Sequence, residues 1–185
     1  MTPRPQHEPD CDAGLARRVA NGDEAAFEEL VGKYQHSVLN TIHRYVGNHD
    51  VADDIAQEVF VILWNKAGTF KGNSKFSTWL YRIVVNQCLQ FRRKRNQALV
   101  SLSDLNDENP PESLQVSDDP ERRQRTYAVQ KAVAELPDRQ RIALVLSHFE
   151  GRPYQEIAEI MGTSVSAVES LIIRAKAILR NKLVR

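Results

Sequence analysis

Apolar residues recur at steps of three and four along nearly the whole chain, and this spacing limits the possible folds more than any other feature. Between Asp23 and Gly47 they mark one buried face of a long helix. The members of that face are Phe27, Leu30, Val31, Tyr34, Val38, Ile42 and Tyr45. No segment alternates apolar and polar residues long enough to predict a strand. The sequence therefore predicts an all-α fold.

Glycine and proline residues mark the ends of the other helices. In the first half of the chain, the spacing predicts helices over 12–20, about 50–66 and about 77–95. In the second half, helices are predicted to begin at Pro120, Pro137 and Pro153 and to end at Leu136, Gly151 and Gly162. The helix that begins at Pro137 is expected to point four residues inward: Ile142, Ala143, Leu146 and Phe149.

The stretch 97–120 differs from the rest in composition. It is rich in Ser, Asp, Asn and Pro and cannot bury enough apolar surface to offset the entropy of ordering. Residues 99–120 carry six acids and no basic residue, although the whole chain has a net charge of +1. We predict a flexible acidic linker over 97–120 between two small helical domains, 12–96 and 121–185. The mildly basic domains favour a polyanionic partner such as nucleic acid.

Several classes of protein are excluded. The longest apolar run, Val59–Trp64, has six residues, whereas a membrane-spanning helix needs about 20. The N-terminus lacks the apolar stretch of a signal peptide, so we expect a cytoplasmic protein without membrane insertion. Two cysteines, Cys11 and Cys88, cannot form a disulfide scaffold or a zinc knuckle. The histidines show no ligand spacing, and His36 and His43 are expected at the surface or its boundary. We therefore expect no metal, no cofactor and no catalytic site.

The C-terminal segment YQEIAEIMGTSVSAVESLIIRAK reads as a short helix, a tight turn and a second helix. Gly162 lies where the turn needs a positive φ, and Ser164 is placed to cap the second helix. Val165, Val168 and Leu171 are expected to point to the core. A basic tail follows, with Arg174, Lys176, Arg180 and Lys182. The pattern favours a DNA-binding helix-turn-helix over an ordinary helical hairpin with a glycine corner.

The helix predicted over about 77–95 presents one polar and aromatic stripe. Steps of three and four place on it Trp79, Arg82, Asn86, Gln90 and Arg93. Aromatic and guanidinium planes stack on bases, amides bond to base edges, and the basic end at 92–95 suits phosphates. The stripe is typical of a site for single-stranded or distorted DNA; a solvated amphipathic helix with a basic end is the alternative.

The helix before it carries an acidic face, formed by Asp50, Asp53, Asp54, Gln57 and Glu58. Such a face repels nucleic acid and indicates a basic protein partner. A plain solvated face is the alternative.

Three segments in this order resemble the extracytoplasmic-function sigma factors of bacteria, members of the sigma-70 family. They are DVADDIAQEVFVILW, TFKGNSKFSTWLYRIVVNQ and LPDRQRIALVLSHFEGRPYQEIAEIMGTSVSAVESLIIRAK. The resemblance covers about 12–95 and 120–183. It implies a dissociable subunit of RNA polymerase with a sigma-two domain (12–96) and a sigma-four domain (121–185). It also implies that the linker runs past the polymerase active site, and that an anti-sigma factor controls the protein, in some relatives at the inner membrane.

The resemblance also implies roles for particular residues. The acidic face would dock on a beta-prime coiled coil of core polymerase, whose beta subunit is the second expected contact. A flipped base of the minus-ten element would be bound by Phe70, Lys71, Asn73, Ser74, Phe76, Trp79, Arg82, Asn86, Arg92 and Arg93. The minus-thirty-five duplex would meet Ser164, Ser166, Ala167, Glu169, Ser170, Ile173, Arg174 and Lys176.

One departure concerns the recognition helix. Many relatives carry Arg at the positions of Glu169 and Leu171, and Arg is the strongest reader of guanine edges. The upstream element is therefore expected to differ here or to matter less. A free-standing helix-turn-helix repressor is the rival interpretation, but it leaves the acidic face and the aromatic stripe unexplained. An enzyme that uses the Asp/Glu cluster is a second rival, without a complete ligand set.

Overall fold

A computed structural model of the chain describes residues 11–101 and 120–183, with side chains described over 11–97 and 124–183. Every regular element in these ranges is helical, so the all-α prediction is confirmed there. Most of the predicted linker, 97–120, lies outside the described residues. No helix within them is long and apolar enough to cross a membrane.

Four helices form the first domain: α1 (Cys11–Ala20), α2 (Glu24–Val46), α3 (His49–Lys66) and α4 (Phe76–Ser101). Asp23 caps α2 by accepting a hydrogen bond from the Ala26 amide at 3.0 Å, and Gly47 ends it with a φ of 79°. A short 3-10 turn, Ala67–Thr69, leads from α3 into the loop before α4.

The last helix of that domain is longer than predicted. α4 continues to Ser101, so residues 97–101, assigned to the linker from composition, are helical. This part of the chain, QALVS, includes good helix formers and no proline or glycine, and an existing helix propagates easily through such residues.

The second domain contains α5 (Pro120–Ala134), α6 (Asp138–Leu144), α7 (Tyr154–Met161) and α8 (Val165–Leu183). A π turn, Val145–Phe149, continues α6. There the Glu150 amide bonds to the Val145 carbonyl, five residues back. The wider turn rotates the end of the helix, and Phe149 is 43% exposed. The expectation that Phe149 points inward is wrong.

The two domains pack against each other through what we call the domain seam. It is the contact of α6, the π turn and α7 with α2 and α4. Buried residues of both domains, such as Leu80 and Ile157, belong to one continuous hydrophobic cluster. His43, expected at the surface or its boundary, is buried at the end of α2, where its ring stacks on the ring of His49 with 3.7 Å between the centroids. The arrangement brings α4, a candidate DNA-binding helix, into contact with α7, the first helix of the predicted helix-turn-helix.

Candidate nucleic-acid interface and acidic docking face

The acidic docking face of α3 is open to solvent. All five of its predicted members, Asp50, Asp53, Asp54, Gln57 and Glu58, are exposed. The opposite side of α3 is buried, with Ile55, Val59 and Leu63 in the core. Helical periodicity therefore separates an exposed acidic face of α3 from a buried apolar one.

A groove between α2 and α3 extends the acidic docking face. Its floor includes Trp64 and Phe27, whose rings meet edge to face at 5.1 Å, and Val61, which is 59% exposed. Glu24 and Glu28 of α2 line it as well. The sequence analysis missed these residues, because only the packing of α2 on α3 brings them beside the acids of α3. An apolar groove with an acidic rim fits a basic amphipathic partner.

An aromatic cluster supports the loop before α4. Phe70 lies 5.6 Å from Phe76 and 5.8 Å from Trp79, measured between ring centroids. Phe70 and Trp79 are half-buried, so each keeps part of its ring accessible. Phe76 is fully buried and also contacts Tyr34 at 5.6 Å. Its assignment as a base-contacting residue is therefore wrong: it fills the core beneath the loop and supports the two rings above.

The polar part of the predicted stripe remains accessible. Lys71, Asn73, Asn86, Gln90 and Arg93 are exposed, and Ser74 is half-buried. These side chains share one surface with Phe70 and Trp79. It offers ring faces, amides and cations, which are the groups that bind unstacked bases and their phosphates.

Two arginines of that surface already have partners in the second domain. Arg82 is exposed, yet its Nε donates to the Glu159 carbonyl of α7 at 2.9 Å. Arg92 is half-buried, and its Nε donates to Asp138 of α6 at 3.0 Å. Sequence spacing places both arginines on the helix now seen as α4, but it does not predict their hydrogen bonds to the second domain.

The inward side of α4 is apolar and carries no reactive group among the described residues. Cys88 is fully buried among core residues, and burial raises the pKa of its thiol to about 12. A neutral thiol is a poor nucleophile and a poor metal ligand. The groups of α4 that can bind a ligand therefore lie on its exposed side.

The helix-turn-helix forms as predicted. α7 ends at Gly162, which has a φ of 59°, and the Thr163 amide bonds to the Ala158 carbonyl at 2.9 Å. Ser164 Oγ accepts a hydrogen bond from the Ala167 amide at 3.2 Å and caps α8. Local signals in the sequence are sufficient here, because a positive φ and a cap are requirements of one or two residues.

The outward face of α8 is more apolar than expected. Ser164, Ser166, Glu169, Ser170, Ile173, Arg174 and Lys176 are exposed, and Ala167 is half-buried. Val165, predicted to point to the core, is 39% exposed, and Ile173 is 61% exposed. Ile172 takes the predicted core place instead, together with Val168. One line of the face thus runs from Val165 through Glu169 to Ile173, at steps of four.

Two serine hydroxyls on this face are already engaged. Ser170 Oγ donates to the Ser166 carbonyl at 2.9 Å, and Ser166 Oγ lies 3.1 Å from Ser164 Oγ. Donors that bond within their own helix are less available to base edges. The line from Val165 through Glu169 to Ile173 therefore exposes methyl groups and one carboxylate.

Known families match both domains. The family of Sigma-70 region 2 matches residues 30–98, and the family of Sigma-70, region 4 matches residues 126–179. The two matches together cover more than half of the chain, in the order in which the domains occur.

Relatives and a solved structure agree with these matches along nearly the full length. The RNA polymerase sigma-H factor of Pseudomonas aeruginosa is 37% identical over 178 residues, which cover 89% of this chain and 90% of that protein. The ECF RNA polymerase sigma-E factor of Escherichia coli strain K12 is 36% identical, covering 92% and 93%. The structure of CnrH in complex with the cytosolic domain of CnrY has a TM-score of 0.69 and 27% identity, covering 94% and 97%.

Proposed function

This chain belongs to the extracytoplasmic-function sigma factors of RNA polymerase, and we propose which of its surfaces bind the polymerase and which bind the promoter. It is a factor for transcription initiation. The observation that carries the proposal is the presence of three exposed surfaces of different chemistry. One is the acidic docking face, the second is the aromatic and polar surface of α4 with its loop, and the third is the outward face of α8.

The acidic docking face binds core polymerase. Its carboxylates match a basic coiled coil, and Val61 in the adjoining groove adds apolar area at the centre of the contact. Charge complementarity orients the encounter, while the apolar floor excludes water from the charge pairs and strengthens them. Glu24 and Glu28 extend the same charge along the other wall of the groove.

The test is the affinity of purified core polymerase for charge-reversed variants. Asp54→Lys and Glu58→Lys should each weaken binding by about 2–5 kcal/mol, because each replaces an attractive contact with a repulsive one. Glu29→Lys is the matched control, since Glu29 is an exposed acid of α2 that does not line the groove. Equal affinities for all three variants and the original chain would remove polymerase docking from this face.

The loop before α4 and the exposed side of that helix bind the minus-ten element as single strand. Phe70 stacks on an unstacked base, Asn86 bonds to a base edge, and Arg93 contacts phosphate. Stacking on an aromatic ring contributes about 1–3 kcal/mol per base and tolerates any base, whereas an amide discriminates between them. Phe76 acts only by supporting Phe70 from below.

The outward face of α8 lies in the major groove of the minus-thirty-five element. Val165 and Ile173 suit contact with thymine methyl groups, and Arg174 and Lys176 suit phosphates. Glu169 accepts from a cytosine amino group or is kept clear of the bases. This face therefore reads a different set of bases from one that carries Arg at the position of Glu169.

Polymerase supplies the catalysis, and this protein acts in the cytoplasm with it, without a cofactor and without an active site of its own. An anti-sigma factor is the expected inhibitor, as in much of the family. A free-standing repressor is not favoured, because it would not explain why residues 30–98 match Sigma-70 region 2. It would also leave the acidic docking face without a role. A gel shift separates the two: a repressor binds duplex promoter DNA alone, whereas a sigma factor needs core polymerase.

A further inference from the structure

We propose that Asp12 and Tyr34 are positioning residues for base capture, which fix the ring of Phe70 from inside the first domain. This inference rests on the proposed function, because it takes Phe70 to stack on an unstacked base of the minus-ten element. Neither Asp12 nor Tyr34 belongs to a surface proposed to bind polymerase or DNA. Both act through Phe76, the buried residue beneath the loop before α4.

A carboxylate is buried where α1 packs on α2. Asp12, in the first turn of α1, is 4% exposed. The Lys33 ammonium of α2 donates to its two oxygens at 2.6 and 2.7 Å, and the Tyr34 hydroxyl donates to Oδ2 at 2.6 Å. Burial of a carboxylate is unfavourable unless hydrogen-bond donors compensate it, and a charged and a neutral donor do so here. The carboxylate therefore fixes the position of the Tyr34 hydroxyl.

The contact between α1 and α2 does not need a charged pair for stability. Ala16 and Val19 of α1 are buried in the hydrophobic core without any polar group. A buried ion pair adds little stability over well-packed apolar groups of similar volume, but its directional bonds hold the partners in one geometry. Asp12 thus contributes orientation more than stability.

Tyr34 connects this carboxylate to the aromatic cluster. Its hydroxyl bonds to Asp12, and its ring lies 5.6 Å from the ring of Phe76, with 57° between the planes. The Lys33 ammonium lies 5.6 Å from the centroid of the Tyr34 ring as well. A tyrosine suits this place because its ring packs against apolar groups while its hydroxyl bonds to a polar one. Held at both ends, the Tyr34 ring has one position.

Phe76 passes the constraint to Phe70. The two rings meet edge to face, with centroids 5.6 Å apart and 88° between the planes. Trp79 contacts both rings, at 5.6 Å from Phe76 and 5.8 Å from Phe70. Because Phe76 is fully buried in a close-packed core, displacement of the Tyr34 ring also displaces the rings above it. Asp12 and Tyr34 therefore set where the accessible part of the half-buried Phe70 ring lies.

The other end of α1 supports the backbone that leads into the loop. α1 packs on the 3-10 turn Ala67–Thr69, which directly precedes Phe70. A Cβ at Gly68 would lie 3.7 Å from the Cβ of Ala20, the last residue of α1. One helix thus supports Phe70 twice, through the backbone before it and through the rings beneath it.

The first experiment compares the loss of two hydroxyl groups on α2. Tyr34→Phe removes the bond to Asp12 and keeps the ring. Thr41→Val is the matched control, because Thr41 is fully buried and its Oγ1 donates to the Ser37 carbonyl at 2.8 Å, about two turns further along α2. The readout is strand capture, measured as the affinity of the holoenzyme for a duplex with a pre-melted bubble of mixed sequence.

We expect strand capture by Tyr34→Phe to be about five-fold weaker than by the original chain, since a displaced ring loses part of its stacking. Thr41→Val should capture the strand as the original chain does, and both variants should bind core polymerase normally. Asp12→Ala removes the acceptor of the Tyr34 hydroxyl and should match Tyr34→Phe. Asp12→Asn keeps an acceptor oxygen and should stay within about two-fold of the original chain.

A double-mutant cycle shows whether Tyr34 acts through Phe70. In a chain that already carries Phe70→Ala, Tyr34→Phe should cause no further loss of strand capture, because the ring that it positions is absent. A general structural weakening would add to the loss from Phe70→Ala instead. Non-additive losses therefore identify a positioning role.

The outcomes separate this inference from the proposed function. If Phe70→Ala captures the strand as well as the original chain, the proposed function of the loop fails. If Phe70→Ala weakens capture but Tyr34→Phe behaves as Thr41→Val does, or if the losses from Phe70→Ala and Tyr34→Phe add, the positioning role alone is overturned. If Tyr34→Phe does not fold, the same cycle with Asp12→Asn and Asp12→Ala decides.

Discussion

Single side chains on α8 determine what the helix-turn-helix can read. Glu169 lies between two exposed apolar residues, Val165 and Ile173, on one line of the helix. A carboxylate repels phosphate and can accept only from a donor such as the cytosine amino group. Arg174 offers a positive charge but lies beside this line, which suits a phosphate contact. We therefore propose that the residues of this face divide between contacts with bases and contacts with phosphates that position the helix.

Substitutions at these two positions should have different effects on binding. Arg174→Ala should weaken binding to every upstream sequence and make the logarithmic salt slope shallower by about 1 unit. Glu169→Ala should relax the preference at one base pair by about 1–3 kcal/mol. The measurement is holoenzyme affinity for single-base variants of the upstream element at several salt concentrations. If Glu169→Ala strengthens all variants equally, Glu169 does not read a base.

Buried ionisable groups make the fold sensitive to alkali. Burial raises the pKa of the Cys88 thiol from 9.0 to about 12 and also raises the pKa of the Tyr45 phenol. Between pH 9 and about 12, Cys88 ionises in the unfolded chain but not in the folded one, so ionisation favours unfolding. The stability present below pH 9 should therefore decline across this window.

Urea unfolding at a series of pH values measures this decline. Cys88→Ala lowers stability at every pH by removing a buried side chain, but it should make the alkaline slope shallower by up to about 1.4 kcal/mol per pH unit. The conservative Cys11→Ser, at an exposed site, should leave the slope unchanged. Identical slopes for Cys88→Ala and the original chain would show that Cys88 is not the sensitive group.

At the scale of elements, the loop before α4 and the helix itself act as one unit. Phe70 and Trp79 rest on the buried Phe76, so the loop is held over the N-terminal end of α4. Asn86 lies two turns further along the exposed side of the helix. In the proposed function, rigid support of this kind holds the base-binding surface in place before DNA arrives, which reduces the entropic cost of binding.

Two substitutions in this unit should affect promoter opening but not polymerase binding. Phe70→Ala should lose about 1–3 kcal/mol of stacking, and Asn86→Ala should lose preference at one base of the minus-ten element. Open complexes on a cognate promoter and strand capture on a pre-melted template measure the effect. Gln87→Ala, at a half-buried position beside Asn86, serves as the control. Normal strand capture by both variants would place the pocket elsewhere.

At the scale of the whole molecule, one hydrophobic cluster connects the two domains. A smaller cluster belongs to the second domain alone and includes Leu136, Leu144 and Ala175. Both tryptophans, Trp64 and Trp79, lie in the first domain. Tryptophan fluorescence therefore follows the first domain, whereas far-UV circular dichroism follows the helices of both.

A destabilising substitution in the second domain should therefore also lower the stability of the first domain. Leu136→Ala removes a buried side chain and should cost about 2–5 kcal/mol in the second domain. Because the domain seam couples the two domains, the unfolding midpoint from tryptophan fluorescence should fall as well. The domains unfold independently if Leu136→Ala leaves the fluorescence midpoint unchanged and makes the unfolding curve from circular dichroism biphasic.

The sequence by itself determined the helices, their caps and the family. α7 begins and ends where Pro153 and Gly162 predict, since a proline at a helix start and a positive φ at its end are local requirements. The acidic docking face also follows from periodicity alone, because a helix places residues three and four apart on one side. These features depend on neighbours within a few residues, and a single sequence contains all of them.

Only the tertiary structure decided which residues are buried where elements meet. His43 is buried although its spacing fits the surface or its boundary, and Phe149 and Val165 are exposed although their spacing fits a core. The domain seam has no sequence signal either: Arg141 resembles any surface arginine until α6 packs on α2 and its guanidinium meets the Tyr45 carbonyl. Such contacts join residues up to 96 positions apart. Their energy depends on geometry that no local pattern contains, because burial is a property of the packed chain and not of the residue.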